Sequence, residues 1–323
     1  MKLDLARLHR NEFLVLGRAG MDFYADPPGT LIEEARAFFP ALGGSAANIA
    51  TAITQLGGKA ALVTTVSKDA VGRYIQGELI RYGVSKAYVR EDDGGVRTSL
   101  AVVETRSENC QSVLYRNGAA DFELSVDQVA DLPYEHAGAL IITGTSLAME
   151  PSRAATFAAI SHAHHANLPV IMDIDYRAYS WRDQAEAADI CRHAVAKCDI
   201  IIGNDEEFSV LAKGGDGLEL GRALARESAA VVIYKKGEKG SITITKDGEF
   251  SLGVYRVTAL KPTGAGDAFM GGFVTGLATG LSLKDSVKRG SASAAIVVTR
   301  VGCSSANPDL SDLQTFMAKH SLD

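Results

Sequence analysis

Six short apolar runs set the outline of this chain: Phe13-Leu-Val-Leu-Gly17, Ala60-Ala-Leu-Val-Thr-Thr-Val66, Ala139-Leu-Ile-Ile-Thr143, Leu168-Pro-Val-Ile-Met-Asp173, Asp199-Ile-Ile-Ile-Gly203 and Ala229-Ala-Val-Val-Ile-Tyr234. Each is apolar at consecutive rather than alternate positions and is too short for a core helix, which predicts strands covered on both faces. Helix-like stretches separate most of them. Ile49, Ile53 and Leu56 recur at i, i+4 and i+7, and similar spacing runs through Ala154 to Ala166 and Ala185 to Ala196. This alternation predicts a three-layer α/β/α sandwich around a mostly parallel sheet.

Residues 22–42 and 96–118 break the alternation. Within the second stretch, Val96 to Glu104 and Ser112 to Arg116 read as strands joined by the polar turn Thr105 to Gln111. Together the two stretches are expected to form a small β lid. With no internal repeat and no Pro/Ser-rich linker, residues 1–323 read as one domain with that lid.

The charge balance, 33 − 39 = −6, is interleaved along the whole length, so nucleic acid is not an expected partner. The N-terminus MKLDLARLHRNEF carries acids among its apolar residues, and no segment reaches the about 18 to 20 apolar residues of a membrane span. Cys110, Cys191, Cys198 and Cys303 are too dispersed for a CxxC pair. The expectation is a soluble, cytoplasmic protein with no membrane partner.

Near the end, Leu260 to Gly272 reads LKPTGAGDAFMGG. Small residues let the backbone approach a ligand, and at the start of a helix the unpaired N–H groups point at negative charge. Gly264, Ala265 and Gly266, followed by a helix-like run from Ala268 to Leu277, therefore form a candidate anion hole, with Asp267 a candidate base beside it. The competing reading is that Thr263 or Asp267 caps the helix. Two other phosphate-binding patterns fail: Gly57-Gly58-Lys59 is followed by alanine, and Gly17-Arg-Ala-Gly20 lacks the dinucleotide glycine order. A second pair, Gly43-Gly44, stands before Asn48 and could serve a polyhydroxy ligand or simply allow tight packing. Asp22 lies just beyond the first strand, at the sheet's carboxyl edge.

Taken in order, Asp22, Gly43-Gly44 with Asn48, Asn204-Asp-Glu-Glu207 and Thr263-Gly-Ala-Gly-Asp267 resemble the ribokinase-like carbohydrate kinases, the pfkB family, over nearly the whole chain. The resemblance implies a ribokinase-like sandwich with a β lid, and ATP-dependent phosphorylation of a sugar hydroxyl with Mg²⁺. It implies that Asp267 is the catalytic base, with Gly264, Ala265 and Gly266 as the anion hole. Asp22, Gly43, Gly44 and Asn48 would hold sugar hydroxyls, and Asn204 and Glu207 would organise Mg²⁺ through water. Gly237 and Gly240 fall where the family covers the nucleotide. On the residues alone, Asn204 to Glu207 reads first as a helix N-cap with acids in its first turn, and Gly237 to Gly240 as a hairpin turn.

The family pattern has Asp-Thr before the glycines, whereas this chain has Lys261-Pro262. That change, together with Asp173-Ile-Asp175-Tyr-Arg177-Ala-Tyr-Ser-Trp181, resembles the subgroup that phosphorylates 5-dehydro-2-deoxy-D-gluconate in myo-inositol breakdown. Tyr115-Arg116 resembles the pair in kinases of sugar acids, so Arg116 and Arg177 are expected to read an acid group, as a guanidinium suits a carboxylate. Alternatively, Arg116 is a solvated lid charge, and Asp173, Asp175 and Arg177 form an internal ion pair. Fructokinase, 2-dehydro-3-deoxygluconate kinase and nucleoside kinase are the alternatives within the family. A non-catalytic sugar-binding regulator is the alternative outside it, and the retained Asp267 speaks against that. Arg300 to Cys303 falls where some relatives bind a monovalent cation such as K⁺, although packing is the preferred reading. His162, His164 and His165 read as a surface helix end rather than a metal site, and the lid is a candidate homodimer surface.

Overall fold

A computed structural model describes residues 5–323; residues 1–4, the start of the N-terminal segment MKLDLARLHRNEF, lie outside them. The strands are β1 (Glu12–Leu16), β2 (Gly20–Asp26), β3 (Ala37–Gly43), β4 (Lys59–Ser67), β5 (Ser85–Asp92), β6 (Leu100–Val103) and β7 (Ser112–Tyr115), then β8 (Ala139–Thr143), β9 (Val170–Asp173), β10 (Ile200–Asn204), β11 (Val231–Lys235), β12 (Ser241–Thr245) and β13 (Gly248–Leu252). The helices are α1 (Ser45–Gln55), α2 (Ala70–Arg81), α3 (Val126–Ala130), α4 (Ser152–His165), α5 (Gln184–Val195), α6 (Asp205–Leu211), α7 (Gly217–Glu227), α8 (Ala265–Ala278), α9 (Leu283–Val298) and α10 (Leu310–Lys319).

Nine strands form the main sheet in the order β13-β12-β11-β10-β9-β8-β1-β4-β5. It is parallel from β11 to β5, with β12 and β13 antiparallel at one edge. Side chains alternate across it. Leu14, Leu16, Leu140, Ile142, Val170 and Met172 pack with residues of α3 to α7 on one face. Phe13, Val15, Ala139, Ile141 and Ile171 pack with α1, α2, α8 and α9 on the other. The expected three-layer architecture is thus the observed one. All six apolar runs are strands, with shifts of a residue or two at their ends.

Three strands of the main sheet lacked such an apolar run. β5, SKAYVRED, is a largely exposed edge strand, so nothing requires its side chains to be apolar. β12 and β13 form an antiparallel hairpin in which β13 is mostly exposed.

The lid is a separate four-stranded sheet, β3-β2-β6-β7. It begins at Gly20, two residues before the expected boundary, and the strands of its second half are shorter than expected. Asp22 therefore belongs to lid strand β2, not to the edge of the main sheet. Tyr24, Ala41, Ala101 and Val103 bury one lid face against Cys303, which packs as expected.

Chain order reverses at β1: the connection runs outward to β4 and β5, then returns to β8 and onward to β11. Such a switch leaves a crevice at the carboxyl ends of the strands, where open α/β sheets bind ligands. The ends of β1, β8, β9, β10 and β11 deliver the residues described next.

Candidate active site

Helix α8 opens without a side-chain cap. Its N-cap residue is Gly264, in the left-handed region at φ 84°. The first main-chain bond runs from the Ala268 N–H to the Gly264 carbonyl at 3.1 Å, so the N–H groups of Ala265, Gly266 and Asp267 lie ahead of the ladder. Neither Thr263 nor Asp267 caps them; the Thr263 hydroxyl is buried without a hydrogen-bond partner. The capping alternative is thereby replaced by an open, dipole-aligned row of donors. A methyl group on Gly266 would lie 3.3 Å from Lys235 Nζ and 4.0 Å from Asp173 Oδ2, so an ammonium from the end of β11 stands beside the row.

Asp267 is held by α1: Asn48 Nδ2 donates to Asp267 Oδ2 at 2.9 Å, and Ser304 Oγ donates to Asn48 Oδ1 at 2.7 Å. Asn48, expected to hold a sugar hydroxyl, is thus hydrogen-bonded to the candidate base. Burial, and then the nearby Asp175 carboxylate, push the Asp267 carboxyl up to about 8, against the pull of the Asn48 hydrogen bond. A base whose pKa lies near neutrality suits proton removal from an alcohol.

From lid strand β2, Asp22 lies against the turn that leads into α1. Its carboxylate lies so close to Gly43 that a Cβ there would fall between 2.1 and 2.3 Å from it, which explains the glycine. Gly44 adopts φ 97°, and a Cβ there would fall 2.4 Å from the Arg18 carbonyl. Asp22 Oδ1 and Arg18 Nη2 are 3.8 Å apart, and each is buried without a hydrogen-bond partner. At that separation they form only a loose ion pair, and buried polar atoms without a hydrogen bond are costly unless a ligand completes them. Burial raises the Asp22 carboxyl above its ordinary range, with Arg18 opposing. Arg18 was not singled out in the sequence; its place immediately after the first strand, among glycines, was the available signal.

Beyond β9, Asp175 adopts φ 41° and donates its N–H to Asp173 Oδ1 at 3.1 Å. Its carboxylate accepts from Thr145 Oγ1 at 3.1 Å and pairs with Arg177 Nη2 at 2.9 Å. Arg177 also lies 3.7 Å from Glu207 Oε1. The ion-pair alternative holds for Asp175 and Arg177, but the second acid on Arg177 is Glu207 rather than Asp173, and Arg177 remains half exposed.

At the end of β10, Asn204 and Glu207 form a reciprocal capping box on α6, with both bonds at 2.8 Å. Asn204 Oδ1 is committed to the cap, which makes Asn204 the residue that fixes Glu207. Burial and then the Asp173 carboxylate push Glu207 up to about 7; Asp173 is likewise raised by burial, with Lys235 opposing. Two buried carboxylates that repel one another fit a divalent cation. Among the described residues no group of three or more His, Cys, Asp or Glu could cage a metal directly. Mg²⁺ prefers one or two carboxylates, water and substrate phosphates, and Asp173 and Glu207 meet that requirement.

Arg116 departs from expectation. It is not a solvated charge, for its side chain is buried beside Asp121. Nε donates to Asp121 Oδ2 at 3.1 Å, Nη2 donates to the same oxygen and to the Thr145 carbonyl at 3.1 Å, and Nη1 donates to Ser180 Oγ at 3.2 Å. The guanidinium also stacks 4.1 Å from the Phe122 ring centroid. An arginine already neutralised this way has little charge left for a ligand. Arg116→Leu is expected to lower unfolding free energy by about 3–5 kcal/mol, because it strands the Asp121 carboxylate. Denaturant midpoints measure this, and a loss below about 1 kcal/mol would contradict the pairing.

Gly237 and Gly240 flank the β11–β12 hairpin at φ 56° and 80°, and a Cβ at Gly240 would fall 2.0 Å from the Leu252 carbonyl. The hairpin alternative accounts for both. His162 stacks on Tyr134, and His164 and His165 hydrogen-bond to main-chain carbonyls, as a helix end would.

The family described as pfkB family carbohydrate kinase matches residues 10–310. A 5-dehydro-2-deoxygluconokinase of Photobacterium profundum is 41% identical over 329 residues, covering 100% of this chain and 99% of that protein. Among solved structures, fructokinase from Xylella fastidiosa with bound ATP superposes with a TM-score of 0.86 at 23% identity, covering 96% of this chain and 99% of that one. A double mutant of Vibrio cholerae O395 fructokinase, in a form with fructose, ADP and potassium ion, gives 0.84 at 25% identity, covering 95% and 98%.

Proposed function

The chain belongs to the pfkB family of carbohydrate kinases, and on that premise we propose that it phosphorylates a hydroxyl of the sugar acid 5-dehydro-2-deoxy-D-gluconate with ATP, in myo-inositol catabolism. One observation carries the reading: Asp267 stands at an uncapped helix start, hydrogen-bonded to the helix that follows the Gly43-Gly44 pair lying against Asp22. The acceptor binds between Asp22, Arg18 and Asp267, with its reacting hydroxyl at Asp267. Asp267 takes its proton as the acceptor oxygen bonds to the γ-phosphorus; the bond to the β–γ bridging oxygen breaks, and ADP leaves. The N–H groups of Ala265, Gly266 and Asp267, with Lys235, stabilise charge on the transferring group. Asp173 and Glu207 would hold Mg²⁺, in part through water, and the ion would supply neutralisation of phosphate charge. The lid excludes water.

The choice of acceptor rests on the full-length relative from Photobacterium profundum. The Vibrio cholerae fructokinase supports the alternative of a neutral sugar. With Arg116 paired internally, Arg18 is the arginine that meets a substrate carboxylate. Purified protein, offered ATP, Mg²⁺ and a panel of 5-dehydro-2-deoxygluconate, fructose and 2-dehydro-3-deoxygluconate, should release ADP fastest with the first; silence across the panel would sink the reading. Asp22→Ala should raise the acceptor KM by about 10- to 100-fold, the loss of a hydrogen bond to a charged group, with a smaller effect on kcat. An unchanged KM would remove Asp22 from the acceptor site.

Residues 1–323 constitute a single kinase domain in this reading. The free thiols of all four cysteines are consistent with a cytoplasmic setting, and among the described residues no helix is long and apolar enough to cross a membrane. By register, Phe38, Val113 and Tyr115 share the lid face opposite Asp22 and are exposed, which supports a homodimer of two lids. Sedimentation should give a dimer that Tyr115→Glu converts to monomer; a monomeric wild type would refute it.

A further inference from the structure

Lys261 is the only buried lysine among the described residues, and its side chain has no exposed surface. A lysine head is a compact, strongly hydrated charge, so complete burial calls for compensation. The partners are carbonyl oxygens rather than carboxylates: Nζ donates to Thr263 O at 2.5 Å and to Val297 O at 3.4 Å. One of these carbonyls belongs to the last turn of α9, the negative end of that helix; the other immediately precedes Gly264. Main-chain bonds from Leu260 and Lys261 to the Val298 carbonyl, at 2.7 and 3.2 Å, hold the segment in place. The ammonium thus lies behind the anion row and joins its first residues to the end of α9.

Carbonyl oxygens without a carboxylate are the surroundings that suit a weakly hydrated monovalent cation. Here the cradle is filled by the chain itself, so the residues present do not fit an added K⁺ at this place, in keeping with the packing preferred for the neighbouring Arg300–Cys303 loop. We propose that Lys261 is a tethered monovalent cation: its ammonium orders the Thr263–Gly264 turn for phosphate binding and makes turnover independent of added K⁺ or NH₄⁺. The proposal rests on the kinase reading of the same site. It also implies that Lys261, although burial lowers its own pKa, favours the ionised form of Asp267.

The test compares initial rates of the wild-type enzyme in choline, K⁺ and NH₄⁺ salts at constant ionic strength, with variants Lys261→Ala and Lys261→Met alongside. The wild-type rate should be the same in all three salts. Lys261→Ala should lose about 10²-fold in kcat/KM for ATP, the scale of one lost charge-stabilising group, and regain activity with K⁺ or NH₄⁺ but not choline. Lys261→Met, which fills the space without charge, should lose as much without rescue and shift its pH profile of kcat/KM upward. Stimulation of the wild type by K⁺ would overturn the proposal, as would a folded alanine variant that is fully active or is not restored by either cation. If neither variant folds, the wild-type salt comparison decides alone. A wild type inactive in every salt would instead refute the kinase reading.

Discussion

Replacing Asp267 by asparagine is expected to lower kcat by at least about 10²-fold, the lower range for loss of a general base, while nucleotide and acceptor still bind. Asparagine keeps the size of the side chain and an oxygen to accept from Asn48 Nδ2, so the geometry survives and only the proton acceptor is lost. The wild-type pH profile should show the same group. Because kcat/KM reports the free enzyme, it should rise with pH up to about 8, where Asp267 becomes ionised, and then level off. That limb should vanish in the variant.

Stability should move the other way. A carboxyl raised from 3.8 to about 8 holds a proton in the native state that the unfolded chain releases. Its contribution is complete below about pH 4 and is lost progressively as pH rises through 8. Asp267→Asn, with nothing to ionise, should therefore match the wild type in acid and exceed it by at least about 2 °C in Tm above pH 8. A variant less stable than the wild type at pH 9 would show that burial is not what raises this carboxyl.

Gly264→Val is the second substitution with a large expected effect. A β-branched residue at φ 84° is strained by roughly 1–3 kcal/mol, and its Cβ would lie 2.9 Å from Cys303 Sγ and 3.2 Å from Val297 Cγ1. Either the turn moves or Cys303 and the lid face packed on it must yield. Movement of the turn misdirects the first N–H groups of α8, and loss of one such donor typically costs about 10²–10³ in rate. The expected outcome is a drop in kcat/KM for ATP on that scale, with lower thermal stability. Wild-type kinetics in a folded Gly264→Val protein would show that the turn is not a phosphate site.

The central strands were legible in the sequence because burial on both faces demands continuous apolar runs, as in Ile200–Ile202. β5 was not, because an edge strand facing water can consist of Ser85, Lys86 and Arg90. The small residues around Asp267 were legible because a close backbone approach admits little else. What the sequence could not show were pairings between distant segments: Asn48 with Asp267, 219 positions apart, or Lys235 beside Gly266. Arg116 illustrates the opposite difficulty. Its partner, Asp121, is five residues away, yet only the turn that folds back after β7 brings the two charges together in the interior. Asn204 to Glu207 form the cap that the residues alone suggested, and the same two bonds fix Glu207, whose carboxyl is raised by burial and by Asp173.

A crystal structure with a non-hydrolysable ATP analogue and the acceptor tests the central claim most directly. The γ-phosphate should accept hydrogen bonds from main-chain N–H groups of residues 265 to 267, and the acceptor hydroxyl should lie about 2.6–3.2 Å from the Asp267 carboxylate. A γ-phosphate seated away from the start of α8, or a hydroxyl turned toward some other base, would contradict the account.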